Sequence, residues 1–357
     1  MTPANGDSDT VELNQVTGFT RDEEIWYDDG NIVLVAGNVG FRVYRGLLAK
    51  RSEVFNDLFT VPQPQDSWLV YGCPVVHLSD TPDALRELLG VLLCGKRYAA
   101  RGLYLPEPSS HGALILRMYA RYIWRSDIEL DLLSYRIRLA HKYGIEDLLA
   151  ESVRQLKQLF PATLDAWRDL ERHDSPRAIT AINLAHLTNT PSVLPSALYV
   201  CCLLANHHLL DGAPHPDGTV NMLGREDLLR CMKAKVQFVR RLTNDIHNMS
   251  LPAANIANCT SAGMCSLAFH NFKNAALVRA SRENMEAGVL EPRYDLLDTF
   301  RKREYNVNYT ALCEACIALL QSKMAQSEEN LWAKLPRFFD LPVDKTWDQE
   351  DFDSEVE

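Results

Sequence analysis

The chain has 357 residues and a formal net charge of −10 at neutral pH, with 46% hydrophobic and 24% charged residues. This is the composition of a folded protein that is long enough for two hydrophobic cores. The negative charge disfavours direct binding to nucleic acid or to anionic membranes. No stretch approaches the roughly 20 consecutive apolar residues of a membrane span. The sequence therefore predicts neither nucleic acid nor a membrane as a partner.

The cysteines and the N-terminal residues bear on the cellular compartment. Nine cysteines are spaced unevenly in a chain much larger than the usual disulfide scaffolds, so free thiols are the expected state. The first 24 residues lack the basic and apolar regions of a signal peptide. We therefore expect a reducing compartment, either the cytoplasm or the nucleus.

The sequence texture divides the chain into a mixed part and a helical part. Before Pro161, short β-rich runs alternate with helical patterns, and after it nearly every pattern is helical. The polar N-terminus and the acidic C-terminus have the composition of disordered segments. The prediction is an α+β domain followed by a mainly α-helical domain. The boundaries are a disordered N-terminus at 1–24, the first domain at 25–160, the helical domain at 161–342 and an acidic disordered tail at 343–357.

A β-hairpin and a short helix are predicted at the start of the first domain. Asn31–Ala36 is rich in β-branched residues, and a Gly-Asn pair supplies a turn before a second strand at Phe41–Tyr44. In Leu47–Phe59 the apolar residues have helical spacing, so one short buried helix is predicted there. The side chain of Ser52 is suited to cap its N-terminus.

A third strand is predicted at Cys73–Leu78, followed by a helix. Thr81 and Pro82 are a capping residue and a proline at the first helical position, so the helix is expected to begin there. Gly95 is expected to end it, and a loop is predicted over 96–112.

A helix hairpin is predicted to end the first domain. One apolar stripe runs from Leu130 to Ala140 and the next from Ile145 to Phe160, and Gly144 stops the first helix. Beyond it, turn-forming residues predict a loop over 211–224, and poor periodicity predicts an irregular stretch over 243–310. Amphipathic patterns predict helices over residues 162–170, 178–187, 195–209, 226–242 and 311–324.

The first domain resembles a known family. Asp29–Val35, Phe41–Phe59, Cys73–Gly95 and Leu139–Ile145 are similar to successive elements of the BTB/POZ domain, over roughly residues 25–160. The layout of the whole chain is similar to that of a group of fungal BTB proteins. The resemblance implies a small mixed sheet flanked by helices. We expect its core to contain Phe41, Val43, Leu48, Phe55, Leu58, Phe59, Leu85, Leu88 and Leu89.

The same resemblance implies a function in protein–protein interaction. BTB domains form homodimers, pair with a different BTB domain or bind another protein. Some bring substrates to cullin-type ubiquitin-ligase scaffolds and others recruit transcriptional regulators, and the family alone does not decide between these roles. No catalysis is implied, and the sequence lacks the common catalytic signatures. One departure is Tyr44, where many family members carry a histidine; a tyrosine there can still donate a hydrogen bond.

The aromatic segment Ile25–Tyr27 has two interpretations of equal weight. It packs against the sheet of its own chain, or it reaches a second subunit, where large aromatic side chains act as anchors of an interface.

Four cysteines support an alternative function of a different class. Cys313 and Cys316 have the two-residue gap of a zinc knuckle, and Cys259 and Cys265 precede them with a gap of five residues. Four thiolates brought together bind zinc tetrahedrally, and His270 is a substitute ligand. The other interpretation is that these cysteines are small buried apolar residues. If these cysteines bind zinc, the alternative function is that of a metal-containing or enzymatic C-terminal domain, and the BTB part serves only to form the dimer.

Other candidate sites have weaker sequence support. A redox role for Cys313 and Cys316 requires a thioredoxin-like βαβ setting, and no such pattern precedes them. His207, His208 and His215 lie around a loop, and we expect them to be ordinary surface histidines and not metal ligands.

Overall fold

The computed structural model describes residues 18–61, 69–94, 130–170, 175–248, 259–282, 312–342 and 347–348. The architecture is α+β, with a small mixed sheet near the N-terminus and helices after it. The chain divides into two compact units. Unit 1 extends to Leu156 and also includes Pro214–Thr219, and unit 2 comprises Lys157–Ala213 and the chain from Val220 onward. The change of texture near Pro161 therefore lies close to the first division.

Unit 1 is built on a four-stranded sheet in the order β1-β3-β2-β4. The predicted hairpin of β2 and β3 is antiparallel, whereas β4 is parallel to β2 and β1 is parallel to β3. All five residues of β2 are buried, as its continuous apolar sequence requires. The strands are β1 (Thr20–Trp26), β2 (Ile32–Ala36), β3 (Val39–Val43) and β4 (Val75–Leu78).

Strand β1 lies partly within the segment that the sequence predicts to be disordered. Ile25 is buried in the core, and its backbone N–H donates to Asp22 Oδ1 at 2.8 Å. The same buried carboxylate pairs with Arg86 Nε at 2.8 Å. Because the Asp22–Arg86 contact joins residues distant in sequence, the local composition could not reveal it. The prediction of disorder over 1–24 is wrong from Thr20 onward, and its residues 1–17 lie outside the described residues.

Two short helices, α1 (Arg45–Arg51) and α2 (Glu53–Thr60), replace the single helix predicted over this segment. The break is at Ser52, whose backbone is extended with φ −145° and ψ 120°. As predicted, its hydroxyl oxygen caps a helix by accepting from the backbone N–H of Phe55 at 3.0 Å. The same hydroxyl donates to the carbonyl of Tyr143 at 2.5 Å.

We expect Ser52→Ala to lower the free energy of unfolding by about 2–3 kcal/mol, because it removes a helix cap and leaves the buried carbonyl of Tyr143 without this donor. Urea unfolding monitored by circular dichroism measures the change. Thr60→Ala is the matched control, since Thr60 makes an exposed hydrogen bond to the carbonyl of Asp57. A loss no larger than that of the control would contradict the assigned role of Ser52.

The remaining helices of unit 1 are α3 (Pro82–Cys94), α4 (residues 130–142) and α5 (Glu146–Leu159). Thr81 caps α3 through its hydroxyl, which accepts from the N–H of Ala84 at 3.4 Å. Gly144 joins α4 to α5 with a φ of 63°, the left-handed conformation expected at a helix C-terminus. Gly95, the loop over 96–112 and the start of α4 lie outside the described residues.

The core of unit 1 lies between one face of the sheet and these helices. Leu58, one of the predicted core residues, is only partly buried. The other predicted core residues are buried in one cluster: Phe41, Val43, Leu48, Phe55, Phe59, Leu85, Leu88 and Leu89.

Unit 2 is mainly helical, and two short strands, β5 (Ala213–Pro214) and β6 (Val220–Asn221), lie in the predicted turn-rich loop. Its helices include α6 (Leu164–Asp169), α7 (Arg177–Leu187), α8 (Leu194–Leu203), α9 (Asn206–Asp211), α10 (Arg225–Asn248), α11 (Ala262–Arg282), α12 (Glu314–Ala333) and α13 (Leu335–Phe338).

Several helices of unit 2 differ from the predicted ones. The helix predicted over 195–209 is two helices, because the backbone is extended at Leu204 and Ala205. The stretch predicted to be irregular contains the end of α10 and the whole of α11. Exposed apolar residues of α11, such as Met264 and Leu267, interrupt the stripe that would have shown its helical period.

Buried aromatic side chains hold the core of unit 2. Trp332 is completely buried, stacks on Trp347 with ring centroids 4.9 Å apart, and lies 5.3 Å from the ring of Trp167. Its indole N–H donates to the carbonyl of Ala162 at 3.0 Å. Trp347 is buried although it belongs to the tail predicted to be disordered over 343–357, so that prediction is wrong at this residue. The acidic composition of the tail predicts disorder, but its tryptophan packs against Trp332.

Candidate metal centre

The N-termini of two helices of unit 2 carry the four cysteines that the sequence analysis grouped together. Cys259 lies just before α11 and Cys265 in its first turn. Cys313 is the N-cap residue of α12, and Cys316 lies in the first turn of that helix. A gap of two residues brings an N-cap and a first-turn side chain to the same helix end, which explains the spacing of the second pair.

The four sulfur atoms form a compact group, all within 4.8 Å of one another. Cys259 Sγ lies 3.8 Å from Cys313 Sγ and 3.7 Å from Cys316 Sγ. Tetrahedral zinc with Zn–S bonds of about 2.3 Å separates its sulfur ligands by roughly 3.8 Å. These two separations therefore match the edges of a zinc–sulfur tetrahedron, and the limit of 4.8 Å keeps all four sulfurs close enough for one ion.

Backbone N–H groups around the cluster favour thiolates over thiols. The N–H of Cys313 donates to Cys265 Sγ at 3.3 Å. Helices α11 and α12 both direct their N-termini, which carry partial positive charge, toward the group. Cysteine binds metal as the thiolate, so this environment lowers the free energy of the form that a cation requires.

The pKa values of the cysteines respond to opposing influences. Hydrogen bonds from the backbone N–H of Cys316, and then of Thr260, lower the pKa of Cys313 to about 6. Burial is the main cause that raises the pKa of Cys265 and Cys316, whose side chains are completely enclosed. In the absence of a cation, the cluster therefore contains one readily ionised thiol, that of Cys313, and two thiols that resist ionisation, those of Cys265 and Cys316. A divalent cation would supply the positive charge that a fully deprotonated cluster needs.

The donor set is suited to a single soft metal ion. Four thiolates in a tetrahedron are the ligands of structural zinc or of iron–sulfur sites. An iron–sulfur cluster places several irons and sulfides among its ligands, and the close grouping of these sulfurs favours one ion instead. His270, predicted as a substitute ligand, is exposed and lies outside the group, with its Nε2 2.9 Å from Asn274 Nδ2. Four cysteines would complete a tetrahedral coordination without it.

The comparisons with known proteins give no relative. Neither the family models, nor the curated proteins, nor the solved structures contain a match to this chain. In the part of the chain that the structure describes, no helix is both long enough and apolar enough to cross a bilayer.

The histidines of the sequence analysis do not join a metal group among the described residues. His207 is exposed and His208 is partly buried, and the two are neighbours on α9. His215 is buried, so the expectation of a surface histidine is wrong for this residue. The turn-rich sequence around it predicts exposure, and only the packing of unit 1 encloses it.

His215 belongs to a polar cluster in unit 1 that the sequence analysis missed. Its Nε2 lies 2.8 Å from Ser134 Oγ and 3.4 Å from Asp131 Oδ1. Its Nδ1 lies 3.0 Å from the hydroxyl of Tyr135 and 3.7 Å from Asp217 Oδ1. A serine, a histidine and two aspartates are the groups of a hydrolytic triad, but here Ser134 is buried and donates to the carbonyl of Asp131 at 2.9 Å. The arrangement is structural because the hydroxyl is closed to substrate.

The pKa of Asp217 predicts a sensitivity of unit 1 to acid. Burial raises this pKa, but hydrogen bonds from Thr219, the charge of His215 and the hydroxyl of Thr81 together bring it below the ordinary value of 3.8. A carboxyl group with a lower pKa in the folded state stabilises the fold above its unfolded pKa. That contribution disappears as the pH falls through the folded pKa. We therefore expect Asp217 to stabilise unit 1 above about pH 4 and to lose this effect below it.

Asp217→Asn should reduce stability at pH 7 and make the loss of stability between pH 5 and pH 3 smaller than in the wild type. The urea midpoint at each pH measures this difference. Asp57→Asn removes an exposed carboxylate of α2 and is the matched control for the substitution itself. An unchanged profile in the Asp217 variant would contradict the assignment.

Proposed function

We propose that the chain is a protein-interaction adaptor of the cytoplasm or nucleus, with a BTB/POZ-type module in unit 1. The order of elements in unit 1 carries this proposal. An antiparallel hairpin, β2–β3, leads into the helix pair α1–α2, and the chain then returns as β4, parallel to β2. A helix and a helix hairpin follow. This is the order that the family resemblance implies for residues 25–160.

Tyr44 supports the proposal at the position where this sequence departs from many family members. Its hydroxyl donates to Asp29 Oδ1 at 2.6 Å, which links the end of β3 to the turn before β2. The aromatic ring also lies 5.1 Å from that of Tyr27. Tyrosine thus provides a polar connection at this position, and the departure is compatible with the BTB-type arrangement.

The proposed role is binding and not catalysis. Unit 1 uses its largest apolar side chains internally, yet the helix pair exposes Leu47 and Val54, and Val61 is exposed just after it. Interfaces combine apolar side chains with a polar, charged rim, and Arg51 and Glu53 are exposed charged residues of the same helix pair. We propose that this surface, Leu47, Val54 and Val61, contacts a second BTB-type domain, in a homodimer or a heterodimer.

Light scattering on the purified full-length chain tests the self-association. A dimer is expected for the wild type, and Leu47→Glu combined with Val54→Glu should shift the mass toward the monomer. Lys50→Glu with Glu53→Lys changes exposed charges on the same helix pair and is the matched control. Monomeric wild-type protein that also captures no other BTB protein from cells would overturn the proposal.

Affinity capture with mass spectrometry distinguishes the kinds of adaptor. Recovery of a cullin-type scaffold supports a role in presenting substrates to a ubiquitin ligase. Recovery of transcriptional regulators supports recruitment to genes. The variant that combines Leu47→Glu with Val54→Glu is the negative control, because partners lost with that variant depend on the proposed surface.

The aromatic segment of β1 requires its own test. Deleting residues 1–27 would remove β1 and the buried Ile25, so a loss of self-association would not separate dimerisation from folding. Trp26 is only partly buried and packs edge-on against Tyr71 at 5.3 Å. Trp26→Ala is therefore the better variant: an unchanged mass would favour packing within the chain, and a shift to monomer would favour an interface role.

A second candidate function concerns unit 2, in which we propose a structural zinc ion held by Cys259, Cys265, Cys313 and Cys316. The separations of the sulfur atoms carry this proposal. When bound, the ion would join the N-termini of α11 and α12 and stabilise the fold, as closed four-cysteine sites do. Metal analysis of protein purified without added metal is expected to give about one zinc per chain. Iron in its place, or no metal, would overturn the assignment.

A further inference from the structure

Solvent reaches the four cysteines unequally. Cys265 and Cys316 are completely buried, whereas Cys259 and Cys313 are each partly exposed. The sulfur atoms of these two partly exposed residues are also near each other, at 3.8 Å. One side of the cluster is therefore accessible to a small solute and the other is closed.

The exposed cysteines also differ in how firmly the backbone holds them. Cys313 is the N-cap of α12, and its carbonyl accepts from the N–H groups of Cys316 and Ile317, both at 3.0 Å. Cys259 lies ahead of α11, outside its helical hydrogen bonds. A disulfide requires the two sulfurs to approach from 3.8 Å to about 2.05 Å. Because Cys259 lies outside both helices, its movement would not require distortion of either one.

We propose that this centre is a redox switch, in which a peroxide oxidises Cys313 and Cys259 to a disulfide and thereby releases the metal. The inference rests on the zinc site proposed above. Only the exposed pair is within reach of the oxidant, and loss of two ligands leaves Cys265 and Cys316. Two thiolates do not complete the tetrahedral coordination that retains a structural zinc ion.

The reaction balances with one equivalent of hydrogen peroxide. The Cys313 thiolate attacks one peroxide oxygen, the O–O bond breaks, and hydroxide leaves as the sulfur becomes a sulfenic acid. The Cys259 thiolate then attacks Cys313 Sγ, the S–S bond forms and a second hydroxide leaves. Two protons convert the hydroxides to water. The sulfurs lose two electrons in total, the peroxide gains them, and zinc departs as Zn²⁺ while the remaining thiolates take up protons.

The consequence for the fold is local to the two helix ends. Without the ion, the N-termini of α11 and α12 are joined by the Cys259–Cys313 disulfide, and Cys265 and Cys316 remain as buried thiols. A dithiol reductant returns the exposed pair to thiols, and added zinc restores the centre. Oxidation therefore acts as a reversible change in how this part of unit 2 is held together.

The test uses the purified full-length chain with its metal. Metal content is measured first, and hydrogen peroxide is then added while a chromogenic chelator reports free zinc. We expect one zinc to be released per peroxide consumed, with a peptide pair linked through Cys259 and Cys313 in the mass spectrum. Dithiothreitol and zinc should reverse both changes. The control Cys202→Ala removes a buried thiol of unit 2 outside the cluster, and its release should equal that of the wild type.

The outcomes separate the two proposals. A chain that carries no zinc at the start overturns the zinc centre, and the switch with it. If the chain carries zinc and still retains it after one pair of thiols has been oxidised, only the proposed switch is overturned. Release accompanied by a disulfide between Cys313 and Cys316 also overturns it, because the exposed pair would then not be the reacting one.

Discussion

Replacing Cys316 with serine is expected to abolish zinc retention and to lower the melting temperature of unit 2 by about 10 °C or more. Cys316 is completely buried and is one of the four grouped cysteines, so the variant loses a ligand and leaves a hydroxyl in its place. Structural zinc contributes up to about 10–16 kcal/mol to the folding of small zinc peptides. Unit 2 has an aromatic core of its own, so we expect only part of that effect.

Metal analysis and calorimetry measure the two consequences of Cys316→Ser. Cys231→Ala is the matched control: its thiol is also buried in unit 2, but it lies outside the four-sulfur group, so that variant should keep one zinc per chain. Addition of a strong chelator to the wild type should reproduce the Cys316 variant. Retention of zinc by the Cys316 variant would show that the four cysteines do not act as one site.

Trp332→Ala is expected to destabilise unit 2 by about 3–5 kcal/mol, which is the usual cost of removing a large buried aromatic side chain. Trp332 has ring contacts with Trp167 and Trp347, and its indole donates to the carbonyl of Ala162. Truncation would leave a cavity among these rings and an acceptor without this donor. The melting temperature should fall by about 10 °C.

Trp332→Phe separates the two contributions of this side chain. Phenylalanine keeps most of the ring packing and removes the indole N–H, so we expect about a third of the loss seen with alanine. Fluorescence of the remaining tryptophans during urea unfolding measures both variants. Equal losses in the two variants would mean that the hydrogen bond, and not the ring packing, accounts for the effect of Trp332.

The sequence predicted those elements of unit 1 that local patterns determine. The runs of β2 and β4, the caps at Ser52 and Thr81 and the glycine stop at Gly144 each depend on residues close in the chain. Strand β1 could not be predicted in this way. Its place depends on the pairing with β3 and on the buried Asp22–Arg86 contact, which only the assembled sheet supplies.

The candidate metal centre was likewise predicted only where the signal was local in sequence. The gap of two residues between Cys313 and Cys316 indicated a pair of ligands, and the structure brings Cys259 and Cys265 to the same pair. The helix α11 that positions Cys265 was missed, because its exposed apolar residues obscure the helical period. The sequence could not show that His270 is outside the group of ligands, because His270 is close to Cys265 in the chain. The structure shows it.

The segment Pro214–Thr219, which contains His215, affects where the chain can be divided for expression. A fragment of residues 25–160 follows the sequence boundary but omits Pro214–Thr219, which belongs to unit 1. Such a fragment would leave the buried hydroxyls of Ser134 and Tyr135 without the His215 ring. Water entering that gap would loosen the helix that carries both residues. A self-sufficient recombinant version of unit 1 therefore requires this six-residue insert, supplied by a graft or as an added peptide.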